Sequence, residues 1–243
     1  MCGRYTLTVT IEKLMAHYLL DSGALVPFHE PRYNIAPSQQ VPALIHDGTK
    51  LRLGPLKWGL IPAWAKDEKF AARTINARAE TVGDKPAFRL PFQRKRCIIP
   101  ADSFYEWKRS PDGTKQPMRI RRTDGGIFNM AGLYDTWVNP NGEKISTCTI
   151  ITTTPNELME PIHDRMPVIL PEDQLSFWLD RRMTDTGKLQ SVLLPYPSKL
   201  MEVYPVSAKV GNTRVDDPSC IEQISEQHQE ETPDSVPPTL FTL

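Results

Sequence analysis

Patterns that mark metal, redox and nucleotide-binding proteins are absent from the sequence. Its four cysteines (Cys2, Cys97, Cys148 and Cys220) are far apart and form no C-x-x-C pair, which argues against a zinc ribbon, a redox motif and a disulfide framework. The sequence contains no H-E-x-x-H segment, no glycine-rich phosphate loop and no internal repeat. We therefore expect neither a bound metal nor a cofactor.

Long apolar runs are also absent. No stretch approaches the roughly 18 apolar residues of a membrane-spanning helix, and no apolar run follows a basic segment at the N terminus. These absences predict a soluble, cytoplasmic protein, in which thiols stay reduced.

Basic residues are missing from the end of the chain. Over all 243 residues, 29 basic and 29 acidic side chains cancel. The last 23 residues hold five acidic side chains and no Lys or Arg, so the preceding part has 29 basic and 24 acidic residues, a charge of about +5. A mildly basic body suits a nucleic-acid or phosphate partner, and it is equally compatible with an ordinary soluble protein.

The apolar pattern predicts many short strands, few helices and no βαβ alternation. We expect a single α+β domain over residues 1–220, with a mostly antiparallel, barrel-like β-sheet core flanked by a few short helices. Residues 221–243 are predicted to form a disordered acidic tail. The predicted strands are GRYTLTV, VPALIHD, LRLGPLKWGL, PMRIRRTD, IFNMAGLYDTWV, KISTCTIITTT and MEVYPVS, and the predicted helices are TIEKLMAHYLL, PEDQLSFWL and the region of GKLQSVLL.

Two segments are predicted to be irregular. Residues 21–40 are rich in proline, and Pro100 is expected to interrupt the strand-like run RCIIPADSFYEWKR.

The second residue is the most unusual candidate for chemistry. Cys2 is expected to lie on a frayed terminus, where its thiol is open to oxidation. Loss of Met1 would give it a free α-amine beside that thiol, and such a 1,2-aminothiol can condense with an aldehyde and close to a thiazolidine ring. The simpler interpretation is that Cys2 starts a strand and packs as a small apolar side chain.

Candidates for proton transfer and for anion binding lie in three segments. FYEWK places Glu106 opposite two aromatic residues, where desolvation would raise its pKa. PIHDRMP contains His163, a possible acid or base, two residues before the cation Arg165. TINARAE contains Asn76, an amide suited to positioning a ligand, two residues before the cation Arg78. Each of these residues also has an ordinary structural interpretation.

Aromatic and basic residues are interleaved in the stretches around Trp58, Trp64, Tyr105 and Trp107. Stacking faces next to cations are typical of single-stranded nucleic-acid grooves. Trp is more often a core residue, and we expect at least two of the five tryptophans in the chain to be buried.

Seven segments together resemble one family. They span residues 1 to about 218 and occur in the family's order. They resemble the SOS response-associated peptidase family, the abasic-site processing proteins that cross-link to abasic sites in single-stranded DNA. They are MCGRY, RYNIAPSQ, WGLIPAWAKD, INARAET, RCIIPADSFYEWK, IHDRMPVIL and PVSAKVGNTRVDDP.

The resemblance implies a role for each matching residue. Cys2, exposed by loss of Met1, is similar to the family's nucleophile, which forms a thiazolidine with the sugar aldehyde in a lyase-like, Schiff-base reaction. By the same resemblance Asn76 senses the lesion, Glu106 assists Schiff-base formation, and His163 assists ring opening and reversal. The residues that match DNA contacts are Arg4, Arg78 and Arg165 for phosphates, and Trp58 and Trp64 for the groove.

Two other functions stay open at this point. Cys2, Glu106 and His163 have the residue types of a cysteine peptidase, which would act on its own Met1. Alternatively, the protein binds single-stranded DNA without a covalent step. A DNA-bound protein would be associated with the nucleoid, and the apolar end PPTLFTL offers a weak candidate contact for a replication-fork partner.

Overall fold

The computed structural model describes residues 2–20 and 29–224. Within these ranges the chain forms twelve strands: β1 Tyr5–Leu7, β2 Arg32–Ile35, β3 Gln40–His46, β4 Leu51–Trp58, β5 Asn76–Arg78, β6 Arg96–Ala101, β7 Ser103–Arg109, β8 Lys115–Arg122, β9 Phe128–Val138, β10 Lys144–Thr153, β11 Met166–Pro167 and β12 Met201–Pro205. The α-helices are short: α1 Ile11–His17, α2 Pro86–Arg94, α3 Leu175–Leu179 and α4 Thr186–Gln190.

Five strands close into a barrel. The order is β10-β4-β3-β6-β9, and β9 pairs again with β10. All these pairs are antiparallel except β10 with β4, and β10 also takes β5 as a parallel neighbour and β11 as an antiparallel one. Closure leaves the barrel without open edges.

A second, five-stranded antiparallel sheet has the order β12-β8-β7-β1-β2. In it β1 pairs with β7, with Tyr5 opposite Phe104, so the start of the chain lies beside a strand about a hundred residues away. Together with the barrel and the few short helices, this sheet confirms the predicted α+β class.

Local signals account for the elements that sequence reasoning found. Thr10 caps α1 by accepting a hydrogen bond from the backbone N–H of Lys13. In the turn between β3 and β4, the Asp47 carboxylate accepts hydrogen bonds from the backbone N–H groups of Thr49 and Lys50. Both features depend on residues within three or four positions of each other.

Gly132 in β9 occupies a position of the barrel that has no room for a side chain. A Cβ added there would lie 2.9 Å from both Cys97 Sγ and the Thr149 carbonyl oxygen. Glycine therefore lets β6 and β10 pack tightly on either side of β9.

The strand break predicted at Pro100 is wrong. Pro100 lies inside β6, opposite Asn129, and it is tolerated because β3 pairs with β6 only at Cys97 and Ile98, so no neighbour on that side needs the missing N–H. The break falls instead at Asp102, whose carboxylate accepts hydrogen bonds from the backbone N–H and hydroxyl of Thr8.

Several elements were not expected from the sequence, among them the short strands β5 and β11, the strand β2 and the helix α2. β2 lies in the segment 21–40 that was predicted to be irregular, of which residues 21–28 are outside the described ranges. α2 begins with Pro86, contains Pro91 and buries Phe88 and Phe92, so its interior proline obscured a helix that tertiary packing stabilises.

The described chain ends at Ile224. Gln223 bridges to Val206, and the backbone N–H of Ile224 donates to the Pro205 carbonyl. The predicted tail contact at PPTLFTL lies outside the described residues. No helix in the described part of the chain is long and apolar enough to cross a membrane.

Candidate functional site

Cys2 is fully buried, directly before β1. The pairing of β1 with β7 continues to Arg4, whose carbonyl accepts a hydrogen bond from the backbone N–H of Tyr105. The expectation of an exposed thiol on a frayed terminus is therefore wrong, because strand pairing carries Cys2 into the protein.

Glu106 lies close enough to Cys2 to act on its ionisation. Burial raises the pKa of the Cys2 thiol well above its ordinary value, and the negative charge of Glu106 raises it further. A hydrogen bond from the Arg4 backbone N–H opposes these effects but does not cancel them. At neutral pH the sulfur is a protonated thiol.

Glu106 is itself 2% exposed, in the middle of β7. Alternation along the strand places it opposite the neighbouring Tyr105, which packs in a separate cluster with Val206 and Val210. Burial raises the pKa of Glu106 to about 7, in agreement with the expected desolvation. The carboxyl group is therefore divided between its acid and base forms near neutrality.

His163 faces Glu106. Its Nε2 lies 3.7 Å from Glu106 Oε2, and its Nδ1 accepts a hydrogen bond of 3.0 Å from the backbone N–H of Arg165. This hydrogen bond favours the tautomer that carries its proton on Nε2, on the side of Glu106, whereas the nearby Asp164 carboxylate favours a proton on Nδ1. Burial lowers the pKa of His163; the Asp164 carboxylate, 2.9 Å from Nδ1, opposes this, but it is exposed and screened by solvent.

Asn76 lies on the barrel face against which β1 packs. On β10, Ile150 pairs with Asn76 and Cys148 pairs with Trp58. Residues two apart on a strand point to the same face, so the side chains of Asn76 and Trp58 share one face of the sheet. The Trp58 ring packs 5.4 Å from that of Tyr5 in β1.

Both amide atoms of Asn76 are buried and have no hydrogen-bond partner among the described residues, and the same is true of the Tyr5 hydroxyl. An unpaired buried amide is costly, so a polar ligand is the natural partner for it.

The three predicted phosphate-binding arginines differ in their surroundings. Arg78 is exposed and makes no side-chain hydrogen bond or ion pair with any residue that the structure describes. Arg4 donates to Asn34 Oδ1 and to the Val210 carbonyl, and its guanidinium lies 6.0 Å from the centre of the Trp107 ring. Arg78 is thus the most available of the three for a phosphate.

Arg165 is held by two protein groups. Its guanidinium forms a bidentate ion pair with Glu80, at 2.8 and 2.9 Å, and donates to the Thr152 carbonyl at 2.6 Å. Sequence reasoning did not find Glu80, because 85 residues separate it from its partner and no local motif marks it.

The two tryptophans predicted for a DNA groove are in opposite environments. Trp58 is 1% exposed and donates its Nε1–H to the Ile75 carbonyl, so a stacking role for it is wrong because no ring face is open to a base. Trp64 is 59% exposed, and its ring packs roughly perpendicular to that of Phe70, at 82° and 5.3 Å between the ring centres. Trp137 and Trp178 are buried as well, which confirms the expectation that at least two are core residues.

The described residues include no cluster of three or more His, Cys, Asp or Glu side chains that could hold a metal ion. The site instead brings together a thiol, a carboxyl group of raised pKa and a neutral imidazole. Such a set can exchange protons and supply a nucleophile near neutral pH.

Known proteins are similar to this chain over most of its length. The family model described as SOS response associated peptidase (SRAP) matches residues 1–213. Abasic site processing protein YoqW from Bacillus subtilis (strain 168) is 51% identical over 222 residues, which cover 91% of this chain and 99% of that protein. Abasic site processing protein HMCES from Xenopus tropicalis is 33% identical over 227 residues, which cover 81% of this chain and 67% of that protein.

The fold is similar to solved structures as well. A crystal structure of a protein from Bacteroides thetaiotaomicron matches with a TM-score of 0.79 and 29% sequence identity, covering 92% of this chain and 100% of that one. With the family model matched across the barrel and the second sheet, the chain belongs to the SOS response associated peptidase family.

Proposed function

We propose that the protein processes abasic sites in single-stranded DNA by forming a covalent thiazolidine cross-link through Cys2, after Met1 has been removed. The observation that carries this proposal is the placement of Cys2 beside the facing pair of Glu106 and His163. The names of the relatives, abasic site processing proteins, support the choice of substrate.

The chemistry follows from the aminothiol. The α-amine of Cys2 attacks the sugar aldehyde carbon and forms a C–N bond, while the carbonyl oxygen takes up a proton. Loss of that oxygen as water gives an imine. The Cys2 sulfur then adds to the imine carbon, its proton passes to nitrogen, and the thiazolidine ring is closed without any oxidant or reductant.

The raised pKa of the thiol favours this order of steps. A cysteine peptidase attacks with a thiolate, and the sites that favour one lower the thiol pKa. Burial and Glu106 do the opposite to Cys2. The amine is therefore the first nucleophile, and the protonated thiol adds in the second step.

Glu106 and His163 manage the protons. With a pKa of about 7, Glu106 can take a proton from the attacking amine and return it to the departing oxygen. The neutral His163 directs its Nε2–H toward Glu106. From this position His163 can protonate the sugar oxygen during ring opening and during reversal of the cross-link. The unpaired amide of Asn76 supplies the donor and acceptor that hold the sugar.

Arg78 and Trp64 are the candidate DNA contacts. Arg78 lies on the same strand as Asn76, two residues further along, and has its guanidinium exposed to receive a phosphate. The open indole of Trp64 can stack on an unpaired base. A strand held in this way, with its aldehyde consumed, is protected from cleavage at the lesion.

The test uses Met1-free protein and a single-stranded oligonucleotide with one abasic site. We expect a cross-link that survives denaturation, and its mass should equal protein plus DNA minus one water. Cys2→Ala should abolish it, whereas the matched control Cys220→Ala, at a cysteine buried in a separate cluster, should form it at the parent rate.

The alternatives give different results in the same experiment. Undiminished cross-linking by Cys2→Ala would overturn the mechanism. Turnover of an unrelated peptide would favour the peptidase. Equal, salt-sensitive affinity for intact and abasic strands without any covalent product would favour the non-covalent binding module.

A further inference from the structure

One ion pair connects two of the segments that carry candidate site residues. Glu80 follows β5, which contains Asn76 and Arg78, and Arg165 lies two residues after His163. Their bidentate pair is therefore a bridge between a strand of the barrel and the loop that supplies the imidazole.

Arg165 makes two further hydrogen bonds, one to the barrel strand β10 and one to His163. Arg165 donates to the carbonyl of Thr152, the residue of β10 that pairs with Arg78. The Arg165 backbone N–H in turn donates to Nδ1 of His163 and so favours the tautomer with its proton on Nε2. Movement of Arg165 would thus disturb the imidazole directly.

The geometry of Arg165 also limits its part in DNA binding. Both terminal nitrogens are engaged by Glu80, one of them also by Thr152, and Nε is buried without a partner among the described residues. Five N–H groups are available on a guanidinium, so after these contacts one terminal N–H remains to reach a phosphate. Glu80 therefore orients Arg165 rather than leaving it as a mobile cation.

We propose that Glu80 is a positioning residue of the site, which through its ion pair with Arg165 fixes the His163 loop against β5 and aims the remaining Arg165 N–H at the DNA. This proposal rests on the proposed function for the reaction that it assists. The Glu80 carboxylate is partly exposed, so its ion pair with Arg165 contributes little to stability. Its two-point contact nevertheless fixes the orientation of the Arg165 guanidinium.

The first test is kinetic. In single-turnover cross-linking with abasic single-stranded DNA, Glu80→Gln should react about tenfold more slowly than the parent, because small displacements of reacting groups are costly. Glu202→Gln is the matched control: Glu202 forms a partly exposed pair with Arg121 between β8 and β12, in the other sheet, and should react at the parent rate.

A double-mutant cycle separates positioning from simple charge. Arg165→Lys keeps the positive charge but loses the two-point contact, so it should slow the reaction as much as Glu80→Gln, and the double variant should be no slower than either single one. Additive losses, a parent-like rate for Glu80→Gln, or tighter DNA binding by Glu80→Gln would each overturn the proposal.

A spectroscopic test does not depend on the reaction. The imidazole nitrogen shifts of His163, measured without DNA, should show the Nε2–H tautomer in the parent and a mixture of tautomers in Glu80→Gln. An unchanged tautomer would refute the positioning role. Should the parent give this tautomer and still form no cross-link, the proposed function fails while the positioning role stands.

Discussion

His163 Nε2 lies 3.7 Å from Glu106 Oε2, while Nδ1 of the same ring accepts a hydrogen bond from the backbone N–H of Arg165. The carboxyl group has its pKa raised to about 7 and the imidazole has its pKa lowered, both mainly by burial. Opposite shifts in facing groups are what proton transfer near neutral pH requires. They also have consequences for stability, because burial of the Glu106 charge opposes folding.

Glu106→Gln should stabilise the protein at alkaline pH. The folded-state pKa of Glu106 is about 7 against an ordinary value of 4.5, so the stability of the parent falls as pH rises between these values and stays low above them. Removing the titrating group should raise the free energy of unfolding by up to about 3 kcal/mol near pH 8 and leave it unchanged near pH 4. Urea unfolding at the two pH values measures this, and a loss of equal size at both would contradict it.

Cys2→Ser should stop the reaction at the imine. The α-amine remains, but a hydroxyl is a weaker nucleophile than a thiol and forms no stable ring with the imine carbon. Borohydride should trap a cross-link with this variant, and omission of borohydride should leave none after denaturation. The parent needs no reductant. A stable, untreated cross-link from Cys2→Ser would show that sulfur is dispensable.

Asn76→Ala should separate activity from stability. Since the Asn76 amide is buried without a partner, its removal relieves a cost of about 1–3 kcal/mol and should leave the free energy of unfolding unchanged or higher, while cross-linking slows. Asn34→Ala is the matched control, because the Asn34 amide donates to three backbone carbonyls and accepts from Arg4. It should lose about 1–3 kcal/mol of stability. Chemical denaturation of both variants tests the comparison, and equal losses would contradict it.

Trp64→Ala should weaken DNA binding, whereas Trp58→Ala should lower the stability of the fold. The exposed Trp64 should contribute about 1–3 kcal/mol to binding of single-stranded DNA and little to folding. The buried Trp58 should cost about 3–5 kcal/mol of stability when truncated. Fluorescence anisotropy with a labelled strand and thermal unfolding measure the two quantities. Parent-like DNA affinity in Trp64→Ala would remove it from the groove.

Elements with local signals could be predicted from the sequence. The cap at Thr10 and the turn at Asp47 depend on neighbouring residues, and both are present. α2 could not be predicted, because its interior Pro91 argues against a helix and only burial of its phenylalanines compensates.

The site shows the same division. The residue types of Cys2, Glu106 and His163 suggested the chemistry that we propose, but their proximity depends on pairing between distant strands. Trp58 and Trp64 stand six residues apart in one segment, and only packing distinguishes the core residue from the exposed one. Glu80 had no signal at all, because an ion pair across 85 residues leaves no pattern in the sequence.

The burial of Cys2 against β7 has a consequence for the order of events during synthesis. The strand that covers Cys2 is translated about a hundred residues after it, and His163 follows about sixty residues later. At about 5–20 residues per second, the ribosome needs roughly 8–30 s to deliver the chain as far as His163. For that interval the beginning of the nascent chain stays accessible to processing enzymes. The removal of Met1 that the proposed function requires can therefore take place during synthesis, before the fold closes over Cys2.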